Sequence, residues 1–187
     1  MNETEIIKGC LKNDLVSQKA LYDLFYGKML AVCLRYAKDT DEAKDIFKDA
    51  FIKASKTIRN VNNSTSLELW LKKIMVNTAI NNLRKNRQDY LIVSTVYANE
   101  KQNNVPLEIS DEELALVAKK EEILLAIQEL TPAYRTVYNM FEVDDYSLHD
   151  ISEMLDISES TSKSNLSKAK FNLRKNLWNI IKKRNVN

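Results

Sequence analysis

Ala43, Ile46, Phe47, Ala50, Phe51 and Ala54 recur at steps of three and four without a miss. That spacing puts every apolar side chain on one face of a 3.6-residue helix and does not suit the two-residue alternation of a strand. A second stripe, Leu21, Phe25, Met29, Val32, Cys33 and Tyr36, precedes it. Residues that build tight reversals are scarce, because the 187 positions include only two glycines, Gly9 and Gly27, and two prolines. A β-sandwich needs many tight turns, and a collagen or linker sequence needs far more of both residues. The fold class predicted is therefore all-α. No run of about 18 uninterrupted apolar residues offers a membrane span, and MNETEIIKGC lacks the basic-then-apolar order of a leader. A cytoplasmic protein with no membrane insertion is expected. Cys10 and Cys33 form no CxxC pair and read as small hydrophobes rather than as a disulfide or metal pair.

The polar segment Asn60 to Ser66 breaks the pattern with Asn, Ser and Thr, whose side chains compete with helix by bonding nearby backbone, so a loop is expected. From Leu67 a third helix is predicted to about Arg87, with Leu67, Trp70, Leu71, Ile74 and Thr78 facing inward. Periodicity lapses over 88–115, where Asn99, Gln102, Asn103, Asn104 and Pro106 mark a flexible acidic linker. Helical spacing resumes with Leu116, Ile123, Ile127 and Leu130 and stops at Thr131-Pro132, a cap followed by a first-turn proline. Two small helical domains, 1–87 and 116–187, joined by the linker 88–115, are the organisation expected.

Charge is segregated along this plan. Residues 1–87 hold 16 basic and 10 acidic side chains and residues 158–187 hold 8 and 1. Between them, residues 88–122 hold 3 and 8, and residues 123–157 hold 1 and 7. Two basic modules flank an acidic middle although the whole chain is only +2. Such a chain can offer two surfaces to a polyanion, but charge alone favours solvated faces, and the motifs must decide.

Residues 146–177 are the most informative. Ser147 and Asp150 have the spacing of a capping box, and Leu148, Ile151 and Leu155 form an inward stripe. Asp156-Ile157 makes a turn, and Ser158 is placed to cap a second helix with Ser162, Leu166, Ala169 and Leu173 inward. Two short helices joined by a turn of this length have the geometry of a helix-turn-helix. The outward face of the second helix carries Ser160, Thr161, Lys163, Ser164, Ser167 and Lys168. Hydroxyls and ammonium groups near a helix start can meet phosphates and base edges.

With the N-terminal half, these motifs resemble the sigma-70 superfamily, in particular its small two-domain extracytoplasmic-function sigma factors. The segment LLAIQELTPAYRTVYNM resembles the family's leucine-rich helix with its Leu-x-Pro element and following Arg. DISEMLDISESTSKSNLSKAKFNLRKNL resembles its helix-turn-helix, with Thr161, Lys163, Ser164, Leu166, Ala169 and Leu173 matching outright. Asp156 replaces a turn glycine, Ser162 a usually apolar residue, and Lys168 and Lys170 replace Arg. Asp tolerates the left-handed conformation the turn requires. The resemblance implies that Ser160, Thr161, Lys163, Ser164 and Lys168 read the −35 element.

DEAKDIFKDAFIKASK resembles the family segment that docks on a coiled coil of the polymerase's largest subunit. Asp45 and Asp49 lie one turn apart, away from the apolar stripe, and repel one another unless a basic partner relieves them. Lys48 stands between them where the family commonly has Gln. The resemblance implies Asp45, Lys48 and Asp49 as polymerase contacts. SLELWLKKIMVNTAINNLRKNRQ resembles the promoter-melting helix, with Lys73, Asn77, Asn81 and Arg84 on one face. The preceding Asn62, Asn63 and Ser64 suit the edge of a flipped base. Trp70, on the inward stripe, is expected in the core rather than as a base-stacking residue. The −10 contacts implied are Asn62, Asn63, Ser64, Lys73, Asn77 and Arg84. The partners implied are core RNA polymerase, promoter duplex and melted strand, with an anti-sigma factor admitted as a regulator.

No catalytic residue, metal site or cofactor is expected. His149 is the sole histidine and has no second ligand at metal spacing, and the isolated Gly9 and Gly27 cannot form a phosphate loop. Two other readings remain open on the residues alone. One is a stand-alone helix-turn-helix regulator whose N-terminal domain senses or dimerises. The other is an adaptor that docks on polymerase without touching DNA.

Overall fold

The computed structural model describes residues 2–61, 66–85 and 110–186, and the regular structure among them is entirely helical. The chain divides into two compact units between Asn82 and Leu83.

The first unit opens with a helix that carries no sequence expectation above, α1 (Glu3–Leu11). Asn2 and Glu5 form its capping box, each side chain accepting the other's backbone N–H at 2.9 Å. Asn13 takes the left-handed conformation at φ 58° and turns the chain into α2 (Leu15–Tyr36). Asp14 caps α2, accepting from the Ser17 N–H at 2.9 Å and its hydroxyl at 2.6 Å. Gly9 sits where a Cβ would fall 1.8 Å from Ser17 Oγ and 2.5 Å from Ser17 Cβ. Helix propensity alone favours Ala over Gly by about 1 kcal/mol. Here packing opposes it, because Ser17 is buried and its Cβ is tied to backbone. Gly9→Ala is therefore expected to destabilise the protein by about 1–3 kcal/mol, read as a lower urea midpoint.

Helix α3 (Thr40–Thr57) starts at Asp39, which accepts from the Glu42 N–H at 2.9 Å, and runs into the 3-10 turn Ile58–Asn60. Its stripe is buried as the spacing predicts: Ala43, Ile46, Phe47, Ala50 and Ala54 are covered and Phe51 is half-buried. Helix α4 (Leu67–Lys85) begins at Ser66, whose hydroxyl accepts from the Leu69 N–H at 3.2 Å. Its buried line differs from the expected one. Leu67, Leu71 and Thr78 are buried, but Trp70 and Ile74 are half-buried, and Met75, Val76, Ala79 and Ile80 are covered instead. Met75 Sδ lies 3.8 Å from Cys33 Sγ of α2, and Lys53 of α3 donates to Thr78 Oγ1 at 3.2 Å, so α4 is rotated toward its residues 75–80. Burial pushes the Cys33 thiol up to about 12, which leaves it the inert hydrophobe expected.

The second unit holds α5 (Asp111–Val117), α6 (Lys120–Gln128), α7 (Pro132–Tyr138), α8 (Leu148–Leu155) and α9 (Glu159–Val186). Residues 88–109 of the expected linker lie outside the described residues, whereas 111–117, expected within it, are helical. Ser110 and Glu113 make a capping box that sets the phase of α5, so Leu114 turns inward and Leu116, expected on the buried stripe, is 84% exposed. Thr131 caps α7 with Pro132 in its first turn, as predicted. A π-helical turn, Asn139–Val143, extends α7 toward α8.

Arg135 ties α6 to α7. Its guanidinium is 4% exposed and donates to the carbonyls of Ile127 at 3.3 Å, Gln128 at 2.6 Å and Leu130 at 2.7 Å. These carbonyls lie at and just beyond the end of α6, where the helical ladder runs out, and the Ile127 carbonyl also accepts from the Leu130 N–H at 3.1 Å. Helix α9 is 28 residues long, roughly 42 Å at 1.5 Å per residue. Its later half carries Leu177 and Ile181 into a cluster with Leu114 and Ala126. At its end Arg184 donates to both Glu122 carboxylate oxygens, at 3.0 and 2.9 Å.

Candidate nucleic-acid and polymerase interfaces

The helix-turn-helix is built from local chemistry. The Ser147 hydroxyl accepts from the Asp150 N–H at 3.1 Å, and Asp150 accepts from Ser147 N–H at 3.1 Å and its hydroxyl at 2.5 Å. Those bonds hold the Asp150 carboxyl below the usual carboxylate range. Asp156 stops α8 in the left-handed conformation at φ 56°, with Ile157 N–H bonded to the Ser152 carbonyl at 3.1 Å. This is the turn expected of an Asp in a glycine position. Ser158 then accepts from the Thr161 N–H at 3.0 Å and starts α9.

On α9, Ser162, Leu166 and Ala169 are buried and Leu173 is half-buried. Ser162 is fully buried and its hydroxyl donates to the Ser158 carbonyl at 3.4 Å, which satisfies the polar atom at a usually apolar place. Ser160, Thr161, Lys163, Ser164, Ser167 and Lys168 are all exposed. Lys163 and Lys168 make no ion pair among the described residues, whereas Lys170 pairs with Glu142 at 2.6 Å. The outward face thus presents two ammonium groups and a row of hydroxyls in the first turns of a helix whose opposite face is anchored.

In the first unit, Asp45, Lys48 and Asp49 are exposed on α3. Beside them lies a cleft of about 340 Å³ lined by Tyr22, Tyr26, Lys44, Phe47, Lys48, Phe51 and Ile52. Tyr22 and Tyr26 of α2 stack at 5.1 Å, and each meets Phe47 edge-on at 5.6 and 5.2 Å. Sequence reasoning missed Tyr22 and Tyr26. The signal was an aromatic pair at i, i+4 next to Leu21 and Phe25, which widens the apolar face of α2 toward α3.

On α4, Lys73, Asn81 and Arg84 are exposed and Asn77 is half-buried, so the four side chains share a face. Asn62, Asn63 and Ser64 lie outside the described residues. His149 is exposed, with Nε2 at 3.5 Å from Glu153 Oε1, and no group of three or more potential metal ligands occurs among the described residues. No described helix is long and apolar enough to cross a membrane.

A capped helix-turn-helix in one unit and a helical core with a polar α4 face in the other match two segments of a single class. Residues 21–88 match sigma-70 region 2, and residues 120–172 match sigma-70 region 4. The chain is 30% identical to the ECF RNA polymerase sigma factor SigW of Bacillus subtilis (strain 168), over 93% of this chain and 96% of that one. It is 27% identical to the RNA polymerase sigma-H factor of Pseudomonas aeruginosa, over 88% and 90%. The fold is shared with sigma factor RpoE of Bartonella quintana, solved in complex with the anti-sigma factor NepR, at TM-score 0.50 and 19% identity over 85% of this chain and 95% of that one. The chain belongs to the ECF RNA polymerase sigma factors. As such it associates with core RNA polymerase and directs initiation at promoters, and the family is not one of enzymes.

Proposed function

We propose that the two units divide the work of promoter recognition. Residues 1–87 dock on the polymerase through Asp45, Lys48 and Asp49 and capture the melted −10 strand through Asn62, Asn63, Ser64, Lys73, Asn77 and Arg84. Residues 116–187 read the −35 element through Ser160, Thr161, Lys163, Ser164 and Lys168, and residues 88–115 connect the two. The observation that carries this assignment is the outward face of α9, where Lys163 and Lys168 flank exposed hydroxyls on a helix capped by Ser158. Lysine attracts phosphate as a point charge, while the serine and threonine hydroxyls supply short donors and acceptors to base edges. The aromatic cleft beside Asp45 and Asp49 extends the docking face with apolar area. A subunit that acts with polymerase at promoters works in the cytoplasm, with all bond-making left to the polymerase.

Two weak DNA contacts held by one polymerase gain from effective concentration, which is why neither unit needs high affinity alone. The solved complex of the Bartonella quintana relative makes an anti-sigma factor a fitting regulator here as well. The stand-alone regulator is not favoured, because the chain belongs to a family of RNA polymerase sigma factors.

Run-off transcription with purified core polymerase tests the assignment. Lys163→Ala with Lys168→Ala is expected to cut promoter-dependent transcript by at least about tenfold. It should also lower the salt slope of holoenzyme binding to duplex by about two counterions. Unchanged transcript and slope would leave the adaptor as the better description of the second unit.

A further inference from the structure

Lys163 and Lys168 are the cations that the assignment above gives to α9, but the same helix carries a third one nearby. Lys170 stands seven residues, close to two full turns, after Lys163 and is exposed like it, so the two share one column with Ser167 between them. Unlike Lys163, it is already engaged. Its Nζ lies 2.6 Å from Glu142 Oε1, and the two side chains are 54% and 32% exposed.

Glu142 comes from a different element, the π-helical turn Asn139–Val143, within the stretch 123–157 that holds 7 acidic side chains and 1 basic one. The turn fixes its base. Asn139 and Met140 are fully buried, and the Asn139 side chain donates to the Arg135 carbonyl at 2.8 Å. The Asn139 carbonyl accepts from the Asp144 N–H at 3.0 Å and the Met140 carbonyl from the Tyr146 N–H at 2.9 Å. A surface ion pair adds little to stability, because solvent screens it and two long side chains must be ordered to form it. Its larger effect is on charge. A lysine bonded to a carboxylate must give up that bond before it can neutralise a phosphate and release a counterion.

We propose that Glu142 is a built-in counterion of the outward face of α9: it occupies Lys170 and so sets the attraction of that face for DNA phosphate one cation below what the helix carries. The inference rests on the reading of this face as the one that meets the −35 duplex. Glu142 touches no base, and its effect is independent of sequence. It keeps the second unit from holding any duplex tightly through charge, which leaves the hydroxyls and Lys163 and Lys168 a larger share of the contact.

The test uses holoenzyme assembled from core polymerase and full-length chain, titrated onto a promoter duplex that it transcribes over a series of salt concentrations. Glu142→Gln keeps the shape of the side chain and removes its charge. Affinity is expected to rise about two- to fivefold at about 0.1 M salt, and the salt slope to steepen by about one counterion. Asp145→Asn is the charge-matched control. Asp145 is exposed, makes no ion pair among the described residues, and holds a φ of 58° that Asn also adopts. Its loss removes the same charge without releasing a lysine, and should change affinity by less than about 1.5-fold. With Lys170→Gln already in place, Glu142→Gln should do no more than this control. The proposal is overturned by a gain in Glu142→Gln no larger than in Asp145→Asn, or by one that survives in full on the Lys170→Gln background. Lys163→Ala with Lys168→Ala is measured alongside. A slope that this pair leaves unmoved counts against the duplex-facing reading of α9, whereas one that falls there but does not rise in Glu142→Gln counts against the role of Glu142 alone.

Discussion

On the docking role proposed for Asp45 and Asp49, Asp45→Lys combined with Asp49→Lys is expected to abolish holoenzyme assembly while leaving the protein folded. Both carboxylates are exposed on α3, and lysine is the better helix former, so the thermal midpoint should move by no more than a few degrees. The loss falls on the partner. Truncating one member of a hydrogen-bonded interfacial charge pair costs about 2–5 kcal/mol, and reversal adds repulsion. Two positions together predict a fall in core affinity on the order of 1,000-fold, measured by titrating labelled core polymerase. Equal affinity for the doubly reversed and unaltered chains would remove α3 from the interface.

The second large effect is structural and confined to one unit. Arg135→Met keeps the apolar length of the side chain but deletes the fork that satisfies the carbonyls of Ile127, Gln128 and Leu130. A buried carbonyl that loses a donor costs about 1–3 kcal/mol; the Ile127 carbonyl keeps the Leu130 N–H, and the bonds to Gln128 and Leu130 are lost together, so a loss of about 2–5 kcal/mol is expected. That is enough to unfold a small helical unit in a large fraction of molecules. Lysine would restore little, because a point charge cannot reach three diverging acceptors. The two tryptophans separate the outcomes, Trp70 lying in the first unit and Trp178 in the second. With Trp70→Phe, urea unfolding followed by Trp178 should show an early transition in Arg135→Met. With Trp178→Phe, Trp70 should report an unchanged one. A late Trp178 transition would mean that α6 ends are held by something other than this side chain.

Much of the architecture was legible in residue order because its signals are local. The α3 stripe, the Ser147 and Asp150 box, the Thr131-Pro132 start and the Asp156 turn each depend on residues within four positions of one another. All four are present in the fold. What escaped depends on partners distant in the chain. Helix α1 has only Ile6 and Cys10 to bury, too few for a periodicity, although Asn2 and Glu5 marked its start. The rotation that leaves Trp70 and Ile74 half-buried is set by Met75 against Cys33, 42 residues apart. Leu116 kept the period of α6 in the sequence, but the cap at Ser110 gave α5 a phase of its own. The clamp of Arg184 on Glu122 spans 62 residues and leaves no periodic trace. For the candidate interfaces, exposure follows the helical faces drawn from spacing, while the aromatic cleft needed α2 and α3 side by side to appear.

Helix α9 separates what holds it from what it displays. Ser162, Leu166, Ala169 and Leu177 serve the interior, and Lys163, Ser164, Ser167 and Lys168 face outward with no bearing on that packing. Exchanging the second set costs the scaffold almost nothing. On the proposed reading of this face, a lineage can therefore rewrite its promoter vocabulary a letter at a time while the foundations of the helix stay alike.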